Sequence, residues 1–326
     1  MDLVVTFLGT GGSVPSARRS TASVLVARGG ERLLFDCGEG TQRQMQRSLG
    51  LVQADAIFLT HFHADHVLGL PGLLKTYDLT DRRVPLKVYG PPGLTDLFQV
   101  FSPFLGRLKY TLDLIELAPG EGVEHDEYEV RPFEAKHGSR ANGYALVEAE
   151  RPGRFDPAAA AAAGVPEGPA YAALQRGETV EGNAGAVTPD QVMGPSRPGR
   201  TIVITGDTAP SPATVSAAAD ADLLIHDASF AEEEAQRGAE TGHSTLGQAA
   251  AVAAEAHVKL LALVHISSRY HVGKVIEEAK AVFEPVVAPK DFDQIELPFP
   301  ERGEPNLAQD GARRRSEMVT PPSLQE

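Results

Sequence analysis

The sequence has a single cysteine among its 326 residues, Cys37. An intrachain disulfide is impossible and thiolate metal clusters are excluded, so any metal must be held by nitrogen and oxygen. No apolar run reaches the length needed to cross a bilayer. The opening MDLVVTFLGTGG also lacks the basic segment, longer apolar stretch and small-residue cleavage site of a secretory leader. Neither secretion nor membrane insertion is expected, and the expected location is the cytoplasm. Positive charge is scarce as well: 30 basic against 44 acidic residues give a formal net charge of −14, and few of the basic residues are lysine. Such a balance disfavours non-specific attraction to nucleic acid, so no DNA partner is expected and an RNA partner requires a local basic patch. It reads first as a solvated, self-repelling surface and second as adaptation to a high-salt cytoplasm.

What is present is a series of short β-type runs: 3–9, 23–27, 32–36, 55–60, 85–90, 201–205, 222–227 and 259–265. Helical patterns lie between several of them, at 39–49, 66–76, 244–257 and 272–283. The implied architecture is layered α/β. Several runs end in polar clusters, FDCGEG, LTHFHADH, ITGDT, IHDASF and VHISSRY, which places one cleft where the strand ends converge. Residues 148–199 are rich in Pro, Gly and Ala with one short helical pattern, too long for an ordinary loop, and are expected to form either a functional arm or a disordered insertion. The tail 301–326 is charged and poor in apolar residues, and is expected to be disordered.

His61, His63, Asp65 and His66 read H-x-H-x-D-H at the end of an apolar run and the start of a helix. Without a metal, that turn would have to satisfy three imidazoles and a carboxylate at once; with one, the set suits Zn²⁺ or a similar divalent ion such as Mn²⁺. His137, Asp207 and His265 each follow a β-type run that does not itself require them, and they bring the set to seven ligands, enough for two metals. Two metals serve phosphoester hydrolysis by activating water and clamping the attacking and leaving oxygens. Asp207 is the natural bridge, and Asp36, ending its own run, is expected to orient a ligand histidine. GTGGS (9–13) reads as a phosphate cradle or, at least as readily, as a tight strand-to-loop turn, while His125 and His257 read as structural or solvated; His226 stays open between the site and a supporting role.

These residues resemble the metallo-β-lactamase fold, two facing mixed β-sheets with helices outside. The finer motifs FLGTGG, FDCGEGTQRQM, THFHADHVLGLPGLL, VYGPPG, GDT, HDASF, GHST and VHISSRY, in order over about residues 3–300, resemble ribonuclease Z, an endonuclease that trims the 3′ trailer from precursor tRNA. The resemblance implies one zinc on His61, His63 and His137, a second on Asp65, His66 and His265, and Asp207 between them. It implies further that Asp65 accepts the proton of the attacking water, and that Asp227 orients His243 toward the leaving 3′ oxygen. It makes residues 1–300 the catalytic domain and 148–199 a protruding tRNA-gripping arm, with Gly164, Pro166, Gly168, Pro169 and Tyr171 of GVPEGPAYAALQRGE as contact residues. A homodimer is implied too. PSARRS (15–20) has Ala17 where relatives carry lysine, which leaves Arg18 and Arg19 for phosphate contact. The alternative is a general hydrolase of this fold acting on small phosphodiesters or esters.

Overall fold

A computed structural model describes residues 1–138 and 140–308. The first half of the chain lays down β1 (Leu3–Gly9), β2 (Ser23–Arg28), β3 (Glu31–Phe35), β4 (Ala56–Phe58), β5 (Leu86–Gly90) and β6 (Leu112–Glu116). Next come β7 (Val123–Glu124), β8 (Tyr128–Glu134) and β9 (Asn142–Glu148), then a hairpin, β10 (Val180–Gly182) and β11 (Gly185–Val187). The remainder supplies β12 (Thr201–Ile204), β13 (Leu223–Asp227), β14 (Leu261–Val264), β15 (Val286–Val287), β16 (Gln294–Glu296) and β17 (Asn306–Ala308). Two large mixed sheets result, in the orders β17-β16-β1-β2-β3-β4-β5-β6 and β15-β14-β13-β12-β9-β8-β7. The helices are α1 (Thr41–Ser48), α2 (Ala64–Val67), α3 (Leu70–Leu79), α4 (Leu94–Leu105), α5 (Pro157–Ala162), α6 (Pro169–Gln175), α7 (Pro212–Ala217), α8 (Ala235–Thr241), α9 (Leu246–Glu255) and α10 (Val272–Lys280).

The two-residue period of the strands builds the layers. Leu34, Ile57 and Val88 share one face of the first sheet and pack with Met45 of α1, Leu73 and Leu74 of α3 and Phe98 of α4. Their neighbours Phe35, Phe58 and Tyr89 take the other face. There Phe58 stacks on Phe35 and Tyr89 at centroid distances of 5.1 and 4.7 Å. Tyr144, from β9 of the second sheet, meets Phe58 edge-on at 5.4 Å and donates its hydroxyl hydrogen to the Leu59 carbonyl at 2.8 Å. Each fully buried aromatic of this seam stabilises the fold by roughly 1.5–3 kcal/mol.

The chain divides into two compact units. One holds both large sheets: Met1–Glu124, Glu129–Leu146 and the chain from Thr201 onward. The other is His125–Tyr128 with Val147–Arg200. That second unit has its own small core, in which Ala160, Val165, Leu174, Val187 and Val192 are buried. Asp156 caps α5 by accepting from Ala158 N and Ala159 N, and Pro157 and Pro169 start α5 and α6, where a missing N–H costs nothing. The unit's two ends are tied by a buried bidentate pair, Arg200 Nε to Glu148 Oε2 at 2.7 Å and Nη2 to Oε1 at 2.8 Å.

Three expectations change. The segment 148–199 is ordered, with two helices and a hairpin rather than one helical pattern, because its alanines and valines close on one another. The helix expected at 66–76 is two helices, parted at Leu68 and Gly69; Gly69 touches the Gly38 carbonyl so closely that a Cβ would lie 2.0 Å from it. The boundary expected at 300 does not hold either. Pro300–Arg302 forms a 3-10 turn and β17 pairs with β16, Ile295 opposite Leu307, so 301–308 belong to the sheet edge. The rest of the expected disordered tail lies outside the described residues.

Candidate metal centre

Five strand ends deliver the site. Asp36 follows β3, His61 lies beyond the end of β4, Asp207 follows β12, Asp227 ends β13 and His265 follows β14. Parallel pairing keeps these ends level: Phe35 sits opposite Phe58, Ile204 opposite Ile225, and Asp227 opposite Val264. His63 is the N-cap of α2, which carries Asp65 and His66 in its single turn. His137 comes from the segment after β8, just past a bridge between Lys136 and Ala209.

All seven side chains expected as ligands come together. His61, His63, His137 and Asp207 form one group with potential ligand atoms within 4.8 Å of one another, and Asp65, His66 and His265 form another. Asp207 divides its oxygens between them. Oδ2 lies 3.6 Å from His61 Nε2 and 3.9 Å from His137 Nε2. Oδ1 lies 3.3 Å from His66 Nε2 and 3.4 Å from His265 Nε2. Asp65 Oδ2 is 3.1 Å from His265 Nε2 and 3.6 Å from His66 Nε2. Two ligands each about 2.1 Å from a tetrahedral ion stand about 3.4 Å apart, so the gaps around Asp207 match ligand pairs around an ion, while Asp65 and His265 at 3.1 Å are also within hydrogen-bond range.

The polar atoms that face the centre support the fit. Among the described residues, His61 Nε2, His66 Nε2 and Asp207 Oδ1 are buried without a hydrogen-bond partner, an arrangement that costs several kcal/mol unless a cation completes it. On four of the five candidate ligand histidines the opposite ring nitrogen is engaged. His66 Nδ1 donates to Asp36 Oδ2 at 2.7 Å, and His137 Nδ1 donates to the Gly242 carbonyl at 2.9 Å. Thr60 Oγ1 donates to Asp36 at 2.9 Å and accepts from His61 Nδ1 at 3.1 Å. Ser229 Oγ donates to Asp227 Oδ1 at 2.6 Å and accepts from His265 Nδ1 at 2.7 Å. Each ring is thereby held in the tautomer that leaves Nε2 free toward the centre.

The electrostatics of the cluster favour positive charge. Burial opposes charging His66 and His265, yet Asp207, aided by Asp36 at the first and Asp65 at the second, raises both above the ordinary imidazole value. Burial also opposes ionisation of Asp65 and Asp207, and the surrounding histidines nonetheless hold both carboxyls below the usual range. His61 goes the other way, pulled well down by burial and by the neighbouring His66.

Beside this centre, His243 Nδ1 lies 2.8 Å from Asp227 Oδ2, and its ring stacks on His265 at 5.3 Å. Asp227 is fully buried and accepts from Thr208 N and Ser229 N besides. Burial lowers the His243 pKa, but the Asp227 bond and charge outweigh it and push the imidazole up to about 9. His243 also groups with Asp207 and His265 as a conceivable ligand, though the ring nitrogen nearest Asp207, at 4.0 Å, is the one Asp227 engages.

Thr60 and Ser229 are site residues that sequence reasoning passed over, and the GTGGS turn packs against the site as well. Ser13 N donates to Asp65 Oδ2 at 2.8 Å, and a Cβ on Gly12 would lie 2.5 Å from the His265 carbonyl and 2.6 Å from its ring. The signal for the two hydroxyls was their position inside the polar strand-end clusters. The arginines expected to contact phosphate separate. Arg18 is exposed, whereas Arg19 Nη1 is committed to Thr10 Oγ1 at 2.6 Å and the Pro289 carbonyl at 2.7 Å, with Asp291 and Asp293 adding attraction. Arg19 therefore braces the turn rather than offering its guanidinium to a ligand. In the second unit, Gly164 (φ +74°) leaves no room for a Cβ beside Asn183, and Tyr171 packs on Phe155 at 4.8 Å; Pro166, Gly168 and Pro169 are exposed. His226 is buried on the strand face opposite Asp227 and, among the described residues, bonds only its neighbour's carbonyl, outside the cluster.

Facing mixed sheets with a histidine and aspartate cluster at their strand ends define a class. The sequence model of the metallo-β-lactamase superfamily matches residues 17–246, and the protein is a hydrolase of that superfamily that uses a divalent metal. A relative called ribonuclease Z in Methanosarcina acetivorans is 49% identical over 303 residues, 91% of this chain and 99% of that protein. Another ribonuclease Z, from Halobacterium salinarum, is 52% identical over 83% of this chain and 89% of its own length. The crystal structure of human tRNase Z, short form, superimposes with a TM-score of 0.66 at 28% identity, over 91% of this chain and all of that one. The chain belongs to the ribonuclease Z family.

Proposed function

We propose that the protein is the endoribonuclease that removes the 3′ trailer from precursor tRNA, cutting after the discriminator nucleotide to leave a tRNA 3′-hydroxyl and a 5′-phosphorylated trailer. The observation that carries this is the division of Asp207's oxygens between two ligand groups, with the Asp227–His243 pair directly alongside. Zinc is the ion proposed, on nitrogen and oxygen donors: His61, His63 and His137 for one, Asp65, His66 and His265 for the other, Asp207 shared, and Asp36 orienting His66. Bound there, the pair supplies an activated water and offsets charge on the phosphodiester.

The chain's own groups do the rest. Asp65, fixed by Ser13 N and held ionised, is the acceptor for the proton of the attacking water. His243 is an imidazolium at neutral pH and stands ready to protonate the departing 3′ oxygen, while Asp227 keeps its ring in place. Arg18 meets phosphate. The second unit is the tRNA-gripping arm, with the exposed Pro166, Gly168 and Pro169 as its contact turn. The working form is a cytoplasmic homodimer without a DNA substrate. Among the described residues no helix is long and apolar enough to cross a membrane, and the exposed Val100 and Phe104 of α4 offer apolar surface to a second copy.

The test is incubation with a 3′-extended precursor tRNA, with and without a chelator. A single cut next to the discriminator, abolished by chelation and reduced about 10²–10⁴-fold in Asp65→Ala, is expected. Turnover of a chromogenic phosphodiester without cleavage of the precursor would assign the site to small substrates instead.

A further inference from the structure

A cavity of about 640 Å³ opens beside the metal centre, with His137 and Gly242 in its wall. Its volume is in the range of small-molecule pockets, roughly 300–1,000 Å³. The lining is mixed. Lys136 and Arg140 flank His137 in sequence and are exposed, and among the described residues neither forms a salt bridge. Glu134 and Glu240 supply carboxylates, and Pro91, Pro92 and Pro119 supply apolar surface. A site for bare phosphate would not place two carboxylates beside its cations. A ribonucleotide, by contrast, presents phosphate acceptors, hydroxyl and amino donors, and an apolar base face together.

The cations stand on a fixed base. Lys136 N donates to Thr208 Oγ1 at 2.9 Å, and its carbonyl accepts from Ala209 N at 2.9 Å, which locks this segment to the loop that carries Asp207. Gly242 (φ +73°) lets the opposite wall close in: a Cβ there would lie 3.1 Å from His137 Nδ1. Gly242 also precedes His243. If His243 serves the departing 3′ oxygen, the nucleotide that bears this oxygen lies on the same side as the cavity.

We infer that this cavity seats the last nucleotide of the tRNA body, the one that carries the leaving 3′ oxygen, and that Lys136 and Arg140 bind the phosphate on its 5′ side. The 5′-phosphorylated trailer departs by another route. This assignment rests on the functional reading above.

The experiment compares the wild-type protein with Lys136→Ala, Arg140→Ala, the double variant and Lys136→Arg. Steady-state cleavage of precursor tRNA is read together with inhibition by each product: mature tRNA ending at the discriminator, and a 5′-phosphorylated trailer oligonucleotide. Loss of one charge-assisted hydrogen bond raises KM about tenfold per alanine, with the larger effect in KM than in kcat. The inhibition constant of mature tRNA rises in parallel, that of the trailer does not, and Lys136→Arg recovers most of the loss. Metal content per chain, measured on each variant, checks that the centre is intact. Unchanged KM, or weakening confined to the trailer or equal for both products, overturns the assignment. Failure of the wild type to cleave precursor tRNA would instead defeat the functional reading and this assignment with it, so the two failures are told apart.

Discussion

Two hydroxyls do much of the positioning in the centre. Ser229 couples Asp227 to His265, and Thr60 couples Asp36 to His61, so one carboxylate on each side sets the tautomer of a ligand histidine through a Ser or Thr relay. Ser229→Ala removes the acceptor for His265 Nδ1, and the expected result is metal affinity lower by about 10–100-fold, read by competition with a chromogenic chelator. Affinity equal to wild type would mean that His265 is oriented by packing alone. His243 yields a second prediction. Its imidazolium, held up to about 9 by Asp227, is present below that pH and lost as pH rises through it. The alkaline limb of kcat should fall near pH 9, and Asp227→Asn, which deletes the raising charge, should move that limb to lower pH. A limb that stays in place contradicts the assigned pairing. Cys37, fully buried with its thiol pushed up to about 12, plays no part in this chemistry.

At the level of elements, the second unit, proposed as the arm, is the piece that can be removed. Its core of Ala160, Val165, Leu174, Val187 and Val192 is internal to it, and the Arg151–Arg197 bridge marks a narrow stem. Replacing residues 152–196 by a short glycine linker should cut precursor tRNA cleavage at least about tenfold through the loss of substrate contacts, with hydrolysis of a small phosphodiester retained; equal tRNA rates would refute the grip. The same elements show where sequence was informative. The strands that end in ligands were legible because apolar runs stop abruptly at His, Asp or Glu-rich clusters, and H-x-H-x-D-H is local enough to be read as one site. Helix α4 and strands β6, β8 and β9 were not read. In β6 four of five residues are only half-buried, which weakens the alternation, and α4 contains Pro103, which reads as a break. The arm's order was hidden because an alanine-rich segment with frequent glycine and proline has the composition of a linker; only contacts between its parts reveal a core. The bracing role of Arg19 depends on Asp291, far away in the chain, and no local pattern announces it.

For the whole molecule, a net charge of −14 and an RNA substrate are reconciled by locality. The centre holds carboxylates that favour cations, and two metal ions held there would convert that negative focus into a site that accepts a phosphodiester. Long-range steering contributes little on such a surface, so the proposed function assigns recognition to shape, to the second unit as arm and to single arginines and lysines near the cleft. The central claim is that seven side chains hold two ions and that both are needed for cleavage. The most direct test strips the protein of metal and titrates zinc back while following precursor tRNA cleavage and bound metal together. Activity that climbs to a plateau at two equivalents per chain is the predicted result; full activity at one equivalent, or activity undiminished in the stripped protein, would contradict it.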